Sequence, residues 1–240
     1  MSPIQSPTMA AARAVGMSIA SDLLPVNEIF QTIQGEAKWT GTPSIFLRLQ
    51  GCDVGCPWCD TKHTWAIDPA DVIPLDAVVS KTGDAKGFAM ASVTELMAVI
   101  SMFDARHVVI TGGEPCIHNL VQLTNAIMTS GRTVQIETSG TEPIRVSRFA
   151  WVTLSPKIGM PGGKIVRVDA VRRANELKIP VGKPSDIEAA QWVIDALVDG
   201  TRVWLQPLSA SPKATALCIA EATRHGWAVS IQTHKFIGVR

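Results

Sequence analysis

The sequence predicts an α/β fold in which a mainly parallel sheet forms an incomplete, open barrel within a single domain. Apolar, β-branched runs alternate along the chain with segments of helical periodicity, which is typical of right-handed βαβ units. Nearly every predicted strand ends in a polar segment rich in Gly, Thr, Ser or Pro. Without its N-terminal tail, the 240-residue chain is shorter than the roughly 250 residues of a closed eight-stranded α/β barrel.

The beginning of the chain differs in composition from the rest. Residues 1–21 are rich in Ala, Ser, Met and Pro, contain one basic residue, Arg13, and have a short apolar part interrupted by Gly16 and Ser18. A secretory signal has a basic start and an unbroken apolar core. We therefore interpret residues 1–21 as a disordered N-terminal tail and residues 22–240 as the folded domain.

The overall composition narrows the class of protein. The chain is 46% hydrophobic and 18% charged, which is typical of a compact enzyme. It lacks an apolar run of about 20 residues, and its net charge is +1 without a dense Lys/Arg run, so we expect no membrane and no nucleic-acid partner. The five cysteines are an odd number grouped three and two, unlike a disulfide framework, so we expect a cytoplasmic protein.

The first two predicted strands lead to a group of cysteines. Residues 26–30 alternate apolar and polar side chains, the pattern of a strand with one buried face. Residues 44–49 are apolar except for Arg48 and form the second strand. The polar, turn-rich residues 68–87 are expected to form a surface excursion.

The rest of the chain alternates regularly between strands and helices. A Ser-x-x-Glu capping box opens the first predicted helix, and Gly131 ends the second. Helices are predicted at 93–102, 120–129, 168–176, 187–198 and 213–225. Strands are predicted at 107–111, 133–137, 150–154, 202–205 and 227–232. If the strands are parallel, their polar carboxyl ends meet at one rim, where α/β folds bind ligands.

Three cysteines lie at that rim in the spacing C-x3-C-x2-C. They are Cys52, Cys56 and Cys59, directly after the second strand. A structural zinc site and an ordinary [4Fe–4S] cluster each take four protein ligands. Three cysteines therefore leave one position of a metal centre open to a ligand that is not protein.

Two further features accompany the cysteines. Trp58 precedes the third cysteine, and residues 111–115 read Thr-Gly-Gly-Glu-Pro at a strand end. With the cysteine spacing, these features resemble the radical SAM superfamily, whose fold is an incomplete TIM-like barrel. The resemblance implies that residues 22–240 form a catalytic domain with a [4Fe–4S] cluster on the three cysteines. It also implies S-adenosyl-L-methionine (SAM) at the open iron and a flavodoxin- or ferredoxin-like electron donor.

Four short segments of the sequence point to one family within this superfamily. Residues 26–36, 48–52, 59–65 and 232–235 are similar to segments of the 7-carboxy-7-deazaguanine synthase family, in the enterobacterial type. The resemblance implies that an adenosyl radical takes hydrogen from carbon 6 of 6-carboxy-5,6,7,8-tetrahydropterin. The ring then contracts and loses ammonia, giving 7-carboxy-7-deazaguanine for 7-deazapurine and queuosine synthesis. Members of this family are homodimers and use Mg²⁺.

The same resemblance implies a set of site residues, position by position. The SAM contacts would be Trp58, Cys59, Asp60, Gly113, Ser155, Pro156, Lys157, Gln206 and Pro207. The pterin contacts would be Ile33, Gln34, Gly35, Arg48 and Thr111. Thr61 would bind Mg²⁺, since a hard cation favours oxygen ligands.

Several alternatives stay open at this stage. A glycyl-radical activase or another small radical SAM protein would bind a protein substrate, and a zinc module would need a fourth ligand, for which His63 is the local candidate. Arg48 needs an anionic partner, either a carboxylate of the protein or that of the substrate. Glu137 is either a SAM or substrate contact or an ordinary strand-end carboxylate. Cys116 and Cys218 are expected to be buried free thiols.

Overall fold

The computed structural model describes residues 23–239, so the tail predicted at 1–21 lies outside the described residues. Nine strands form one sheet in the order β3-β1-β2-β4-β5-β6-β7-β8-β9. They are β1 (Leu23–Ile33), β2 (Pro43–Leu49), β3 (Ala89–Ser92), β4 (His107–Gly112), β5 (Thr133–Thr138), β6 (Trp151–Leu154), β7 (Glu176–Val181), β8 (Arg202–Pro207) and β9 (Ala228–Val229). The sheet is parallel from β2 to β9, whereas β1 runs antiparallel to both β2 and β3.

Residues 23–239 contain seven α-helices, of which the first six pack on the outer face of this sheet and the last lies beside the cavity. They are α1 (Leu75–Val79), α2 (Val93–Ile100), α3 (Val121–Thr129), α4 (Val168–Arg173), α5 (Pro184–Asp195), α6 (Pro212–His225) and α7 (Thr233–Ile237). The predicted capping box is present at the start of α2, where Ser92 and Glu95 satisfy each other's backbone N–H groups. Among residues 23–239, no helix combines the length and apolar character that crossing a bilayer requires.

The fold class is confirmed: the strand order is linear, with β3 and β9 at its two edges, and the barrel is open. Apolar side chains alternate along the strands and face the helices. In β2, Ile45, Leu47 and Leu49 are fully buried in the core, whereas Phe46 and Arg48 face the barrel interior. The transfer of such apolar side chains from water is the main source of stability.

The structure corrects several predicted elements. The helix predicted at 168–176 ends at Arg173, and a strand that the sequence analysis missed, β7, begins at Glu176. In β7, Leu177, Ile179 and Val181 face the core, and the inward positions include two charged residues, which obscures the apolar pattern of a strand. The short strand β3 was missed as well.

The C-terminal region also differs from its prediction. The strand predicted at 227–232 shortens to the two residues of β9. The chain then turns into the short helix α7, which the sequence analysis did not identify. Residues 68–87 are largely exposed as predicted, but they include α1, whose Val78 is buried against the core.

Candidate active site

The carboxyl ends of the parallel strands and the barrel interior enclose a cavity of about 440 Å³. Most of the site residues predicted from the sequence line it. They are Ile33, Gln34, Arg48, Cys52, Cys56, Trp58, Cys59, Asp60, Thr61, Thr111, Gly113, Ser155, Lys157, Gln206 and Pro207. Gly35 and Pro156 lie next to lining residues but do not line the cavity themselves. A volume of this size fits a small-molecule site.

Backbone hydrogen bonds fix the loop that carries the three cysteines. The N–H of Cys52 donates to the carbonyl of Trp65 at 2.9 Å, which ties the start of the loop to the chain that follows it. The N–H of Gly113 donates to the carbonyl of Leu49 at 3.0 Å, and that of Glu114 donates to Gly51 at 2.8 Å. The loop is therefore held from the neighbouring strand end by main-chain contacts.

The two glycines after β4 are required by this close approach. A Cβ on Gly113 would lie 2.1 Å from the carbonyl oxygen of Gly51 and 2.9 Å from Cβ of Cys52. A Cβ on Gly112 would lie 2.2 Å from the carbonyl oxygen of Leu49, and its φ of +136° is one that only glycine adopts readily. The Gly-Gly pair therefore serves the cysteine loop and is more than a strand-to-helix turn.

The carboxylate of Glu114 connects this loop to the end of β5. One of its oxygens accepts hydrogen bonds from the Cys116 N–H at 3.0 Å and the Thr138 hydroxyl at 2.6 Å. The other oxygen accepts from the N–H and the hydroxyl of Ser139, at 2.7 and 2.5 Å. Glu114 is only 2% exposed, so these four bonds satisfy a carboxylate that would otherwise be costly to bury.

All five cysteines are free thiols, and three of them face the cavity. Burial raises the pKa of Cys52 to about 11, and the nearby Glu114 and the other two cysteines of the loop add to the shift. Burial also raises the pKa of Cys56, although Lys157 opposes it. A cationic centre favours the thiolate form, and three free thiols at one cavity suit an iron–sulfur cluster with one position left open.

The geometry does not support the zinc alternative. His63 Nε2 lies 3.9 Å from Glu28, on the side of β1, as part of a separate group. Among the residues described, the only set of three or more His, Cys, Asp and Glu ligand atoms within 4.8 Å of one another is Glu28, His63 and Asp84. His63 is therefore not a fourth ligand beside the cysteines. Cys116 and Cys218 are buried, as predicted.

Lys157 and Ser155 lie beside the cysteine loop. The Lys157 ammonium donates to the Ser155 hydroxyl at 2.6 Å and lies 5.1 Å from the centre of the Trp58 ring. Burial lowers the pKa of Lys157, and the neighbouring Cys56 opposes that shift. Thr61 follows the last cysteine of the loop, with its hydroxyl 3.6 Å from the sulfur of Cys59. These groups place a cation and hydroxyl oxygens next to the three sulfurs.

Three charged residues line the cavity, of which Glu137 was a candidate contact from the sequence, whereas Glu36 and Lys178 were not among the predicted site residues. The Lys178 ammonium on β7 donates to Glu36 at 2.5 Å and to Glu137 at 2.8 Å. Glu36 also accepts hydrogen bonds from the amides of Gln206 and Gln232, at 3.2 and 2.8 Å. The sequence signal for Lys178 was weak, because the strand that carries it, β7, was not predicted.

Glu36 and Glu137 share the ammonium of Lys178, and their pKa values shift in opposite directions. Burial raises the pKa of Glu137 to about 7, because Lys178 only partly offsets it and Glu36 adds repulsion. For Glu36, burial is outweighed by Lys178 and by the hydrogen bonds, so its pKa falls to about 2. Glu36 and Glu137 together raise the pKa of Lys178. Glu137 is thus a buried carboxyl that titrates near neutral pH, a common property of functional groups.

A buried carboxylate outside the cavity lining, that of Glu176, accounts for the hydrogen bonding of two tryptophans. Glu176 is fully buried and accepts hydrogen bonds from the indole N–H groups of Trp151 and Trp204, at 3.1 and 2.8 Å. It also accepts from the Thr153 hydroxyl at 2.7 Å. Indole donates a hydrogen bond while its ring fills apolar space, so it suits the neighbourhood of a buried carboxylate.

Two further histidines, His107 and His234, occupy different environments. His107 is buried, with Nε2 3.1 Å from Gln135 and its ring stacked on Trp39, consistent with a core residue. His234 lines the cavity and contacts Gly35, where a Cβ would lie 2.1 Å from its Nδ1. His234 is therefore part of the cavity wall.

Three free cysteines on a loop after a strand, secured by a Gly-Gly-Glu-Pro turn at the rim of an open, mainly parallel barrel, define this protein as a radical SAM enzyme. The chain is 48% identical over 219 residues to 7-carboxy-7-deazaguanine synthase of Escherichia coli strain K12, covering 90% of this chain and 98% of that protein. The synthases of Buchnera aphidicola and Synechocystis are 41% and 35% identical, over 90% and 94% of this chain.

A crystal structure of QueE from Escherichia coli superimposes with a TM-score of 0.85 at 47% identity, covering 88% of this chain and 95% of that one. No family model matches the sequence. At this identity and coverage, the chain belongs to the 7-carboxy-7-deazaguanine synthase family.

We predict that Gly113→Ala displaces the cysteine loop, because the new Cβ would overlap the Gly51 carbonyl. Such overpacking lowers the free energy of unfolding by about 1–3 kcal/mol. After anaerobic reconstitution, the variant should bind much less iron and sulfide per chain than the wild type. Gly83→Ala is the matched control, because a Cβ added there would meet no atom within 4 Å. It should bind as much iron and sulfide as the wild type. Equal iron content in the two variants would contradict this account of the turn.

We also predict a pH dependence of stability from Glu137. Its pKa rises from 4.5 to about 7 on folding, so the folded state holds a proton that the unfolded chain releases between those values. The contribution of Glu137 to the free energy of unfolding should therefore fall as pH rises from 4.5 to 7, whereas histidines whose pKa burial lowers, such as His107 and His118, act in the opposite direction. Glu137→Gln should remove this slope, measured by denaturant unfolding at several pH values relative to the wild type. Glu142→Gln, at the outer Lys164 ion pair, should keep it.

Proposed function

We propose that this enzyme converts 6-carboxy-5,6,7,8-tetrahydropterin to 7-carboxy-7-deazaguanine and ammonia, with SAM, a [4Fe–4S] cluster and Mg²⁺ as cofactors. The conversion is balanced without another reactant, because the substrate differs from the two products only in its bonding. The observation that carries the proposal is that one cavity contains three free cysteines at its rim and paired carboxylates in its interior. The named relatives make the same product.

The residues at the rim fit the cofactors. Cys52, Cys56 and Cys59 would hold the cluster, which with SAM supplies the one-electron chemistry that abstracts a hydrogen atom from the substrate. The cation of Lys157 and the hydroxyl of Ser155 border the same rim and offer donors to the carboxylate or ribose oxygens of SAM. Trp58, Asp60, Gly113, Pro156, Gln206 and Pro207 complete the proposed SAM set.

The interior of the cavity suits the two ends of a carboxypterin. The pyrimidine ring of a pterin presents an amino group and a ring N–H side by side, which match the two oxygens of a carboxylate. Glu137 has one donor on each oxygen, Gln135 at 3.0 Å and Lys178 at 2.8 Å, so each oxygen retains an acceptor site. Arg48, which lines the same cavity from β2, would take the substrate carboxylate.

The remaining pterin contacts come from Thr111 and from residues 33–35. The side-chain amide of Gln34 is buried and already bonded, since its Nε2 donates to Gln135 and its Oε1 accepts from the Glu36 N–H, both at 3.1 Å. Ile33, Gln34 and Gly35 would therefore act mainly through their backbone. Thr61 would contribute its hydroxyl to Mg²⁺, with other oxygens from the substrate.

The mature enzyme is proposed to be a cytoplasmic homodimer that receives electrons from a flavodoxin- or ferredoxin-like protein. The support for a dimer is the open barrel and the apolar surface at its C-terminal edge. Phe236 and Ile237 on α7 are 73% and 58% exposed. Apolar side chains grouped at a sheet edge are typical of a surface that another protein covers.

We predict that the reconstituted protein, incubated anaerobically with SAM, a strong reductant, Mg²⁺ and the tetrahydropterin, forms 7-carboxy-7-deazaguanine detectable by mass spectrometry. Cys56→Ala should abolish the product because it removes a cluster ligand. Cys218→Ala, which removes a buried thiol on α6, should retain it. Formation of 5′-deoxyadenosine without the deazapurine would overturn the substrate. Absence of both SAM cleavage and a cluster would overturn the radical reaction.

The dimer is tested separately. Light scattering under assay conditions should give twice the 25.7 kDa mass of one chain. Phe236→Ser should shift the mass toward the monomer, because it removes apolar surface from the proposed contact. Wild-type protein that stays at the monomer mass at assay concentration would overturn the homodimer.

A further inference from the structure

An irregularity in β1 determines which face Glu28 occupies. The pairing of β1 with β2 shifts register between Val26 and Glu28, so that Val26 lies opposite Leu49 and Glu28 lies opposite Arg48. Val26 and Leu49 are both in the outer core, whereas Arg48 lines the cavity. The extra residue is Asn27. A β-bulge of this kind re-aims a side chain, and here it turns Glu28 inward beside Arg48.

Glu28 and Arg48 are joined directly. Arg48 Nε donates to one carboxylate oxygen of Glu28 at 3.3 Å, and the Glu28 side chain is 4% exposed. Among the described residues, Glu28 is the carboxylate that pairs with Arg48. When a guanidinium donates to a partner through Nε, its two terminal nitrogens can still donate side by side. That arrangement binds a carboxylate with two parallel hydrogen bonds.

A metal ion is a weaker explanation for this group. One ligand atom each from Glu28, His63 and Asp84 lie within 4.8 Å of one another. However, the positive charges of Arg48 and Lys81 act on the same region, since both lower the pKa of His63, whose largest shift comes from burial. Two carboxylates and two cationic side chains already balance their charges, so a further cation is not required.

We propose that Glu28 is a positioning residue that aims the Arg48 guanidinium at the carboxylate of the substrate, a role that rests on the proposed function. The contact has two opposing effects on ligand binding. Orientation favours binding, because the fork is fixed before the ligand arrives. The negative charge of Glu28 opposes binding, because it competes with the ligand for Arg48. The proposal states that orientation is the larger effect.

The test separates the two effects with a pair of unreactive ligands. Binding of 6-carboxypterin and of pterin, which lacks the carboxylate, is measured by anaerobic calorimetry with the reconstituted enzyme and SAM. The wild type should bind 6-carboxypterin more tightly. Glu28→Ala removes the acceptor for Arg48 Nε. We expect it to weaken the binding of 6-carboxypterin about tenfold, the equivalent of roughly 1.4 kcal/mol, and to leave the affinity for pterin unchanged. Glu28→Gln keeps an oxygen acceptor and removes the charge, so its affinity should equal or exceed that of the wild type.

Further variants make the result specific to Arg48. In an Arg48→Ala background, Glu28→Ala should cause no additional loss, because the two residues act as one unit. Glu221→Ala breaks another Glu–Arg pair, the one with Arg224 on the outside of α6. It should change the affinity for neither ligand. Thermal unfolding of each variant shows whether it is folded.

The outcomes distinguish this inference from the proposed function. If Glu28→Ala binds 6-carboxypterin as tightly as the wild type or more tightly, charge competition dominates and the positioning role is wrong. If it weakens both ligands equally, Glu28 supports the fold rather than Arg48, and the inference is again wrong. If the wild type itself does not distinguish 6-carboxypterin from pterin, the assignment of Arg48 to the substrate carboxylate fails instead.

Discussion

The site depends on a backbone contact between the end of β4 and the loop after β2. Parallel pairing of these two strands brings Gly112 opposite Leu49, and Gly113 then approaches Gly51 more closely than any residue with a Cβ could. The three thiols sit on the loop that this contact holds. Because the contact uses main-chain atoms, the position of the sulfurs does not rely on flexible side chains. The same turn supplies Glu114, which accepts three hydrogen bonds from Thr138 and Ser139 and so fixes the neighbouring end of β5.

Below this rim the barrel is unusually polar for a protein interior. Glu36, Glu137, Glu176 and Lys178 lie within or beneath the cavity, where apolar residues would fill a closed barrel. Each is paired or hydrogen-bonded, as a buried charge must be. Burial raises the pKa of Glu137, because the Lys178 ammonium that it shares with Glu36 offsets the burial only in part. An interior of this kind sacrifices some stability, which is expected where the groups are needed for binding.

The sequence predicted the rim better than the interior, for a physical reason. The rim is encoded locally: three cysteines, two glycines and the polar strand ends lie in short runs that can be read without the fold. The interior is assembled from distant segments. Lys178 meets Glu36 only because β7 forms, and its charged inward side chains hid that strand from the apolar pattern. The orientation of Glu28 depends on a bulge at Asn27, and local sequence patterns do not show where a strand shifts its register.

Side-chain hydrogen bonds bridge the gap that strand pairing would close in a complete barrel. The two edges of the sheet, β3 and β9, are not paired with each other, yet Glu36, from the loop after β1, bonds to Lys178 on β7, Gln206 on β8 and Gln232 after β9. Two hydrogen bonds with backbone donors add to this bridge. The Ala37 N–H donates to the Ser230 hydroxyl at 3.0 Å, and the Thr233 N–H donates to the Gly35 carbonyl at 3.0 Å. One segment therefore forms a wall of the cavity and joins the sheet across its gap. Because Glu36 both lines the cavity and makes these bonds, the residue that bridges the gap in the sheet also contributes a carboxylate to the site.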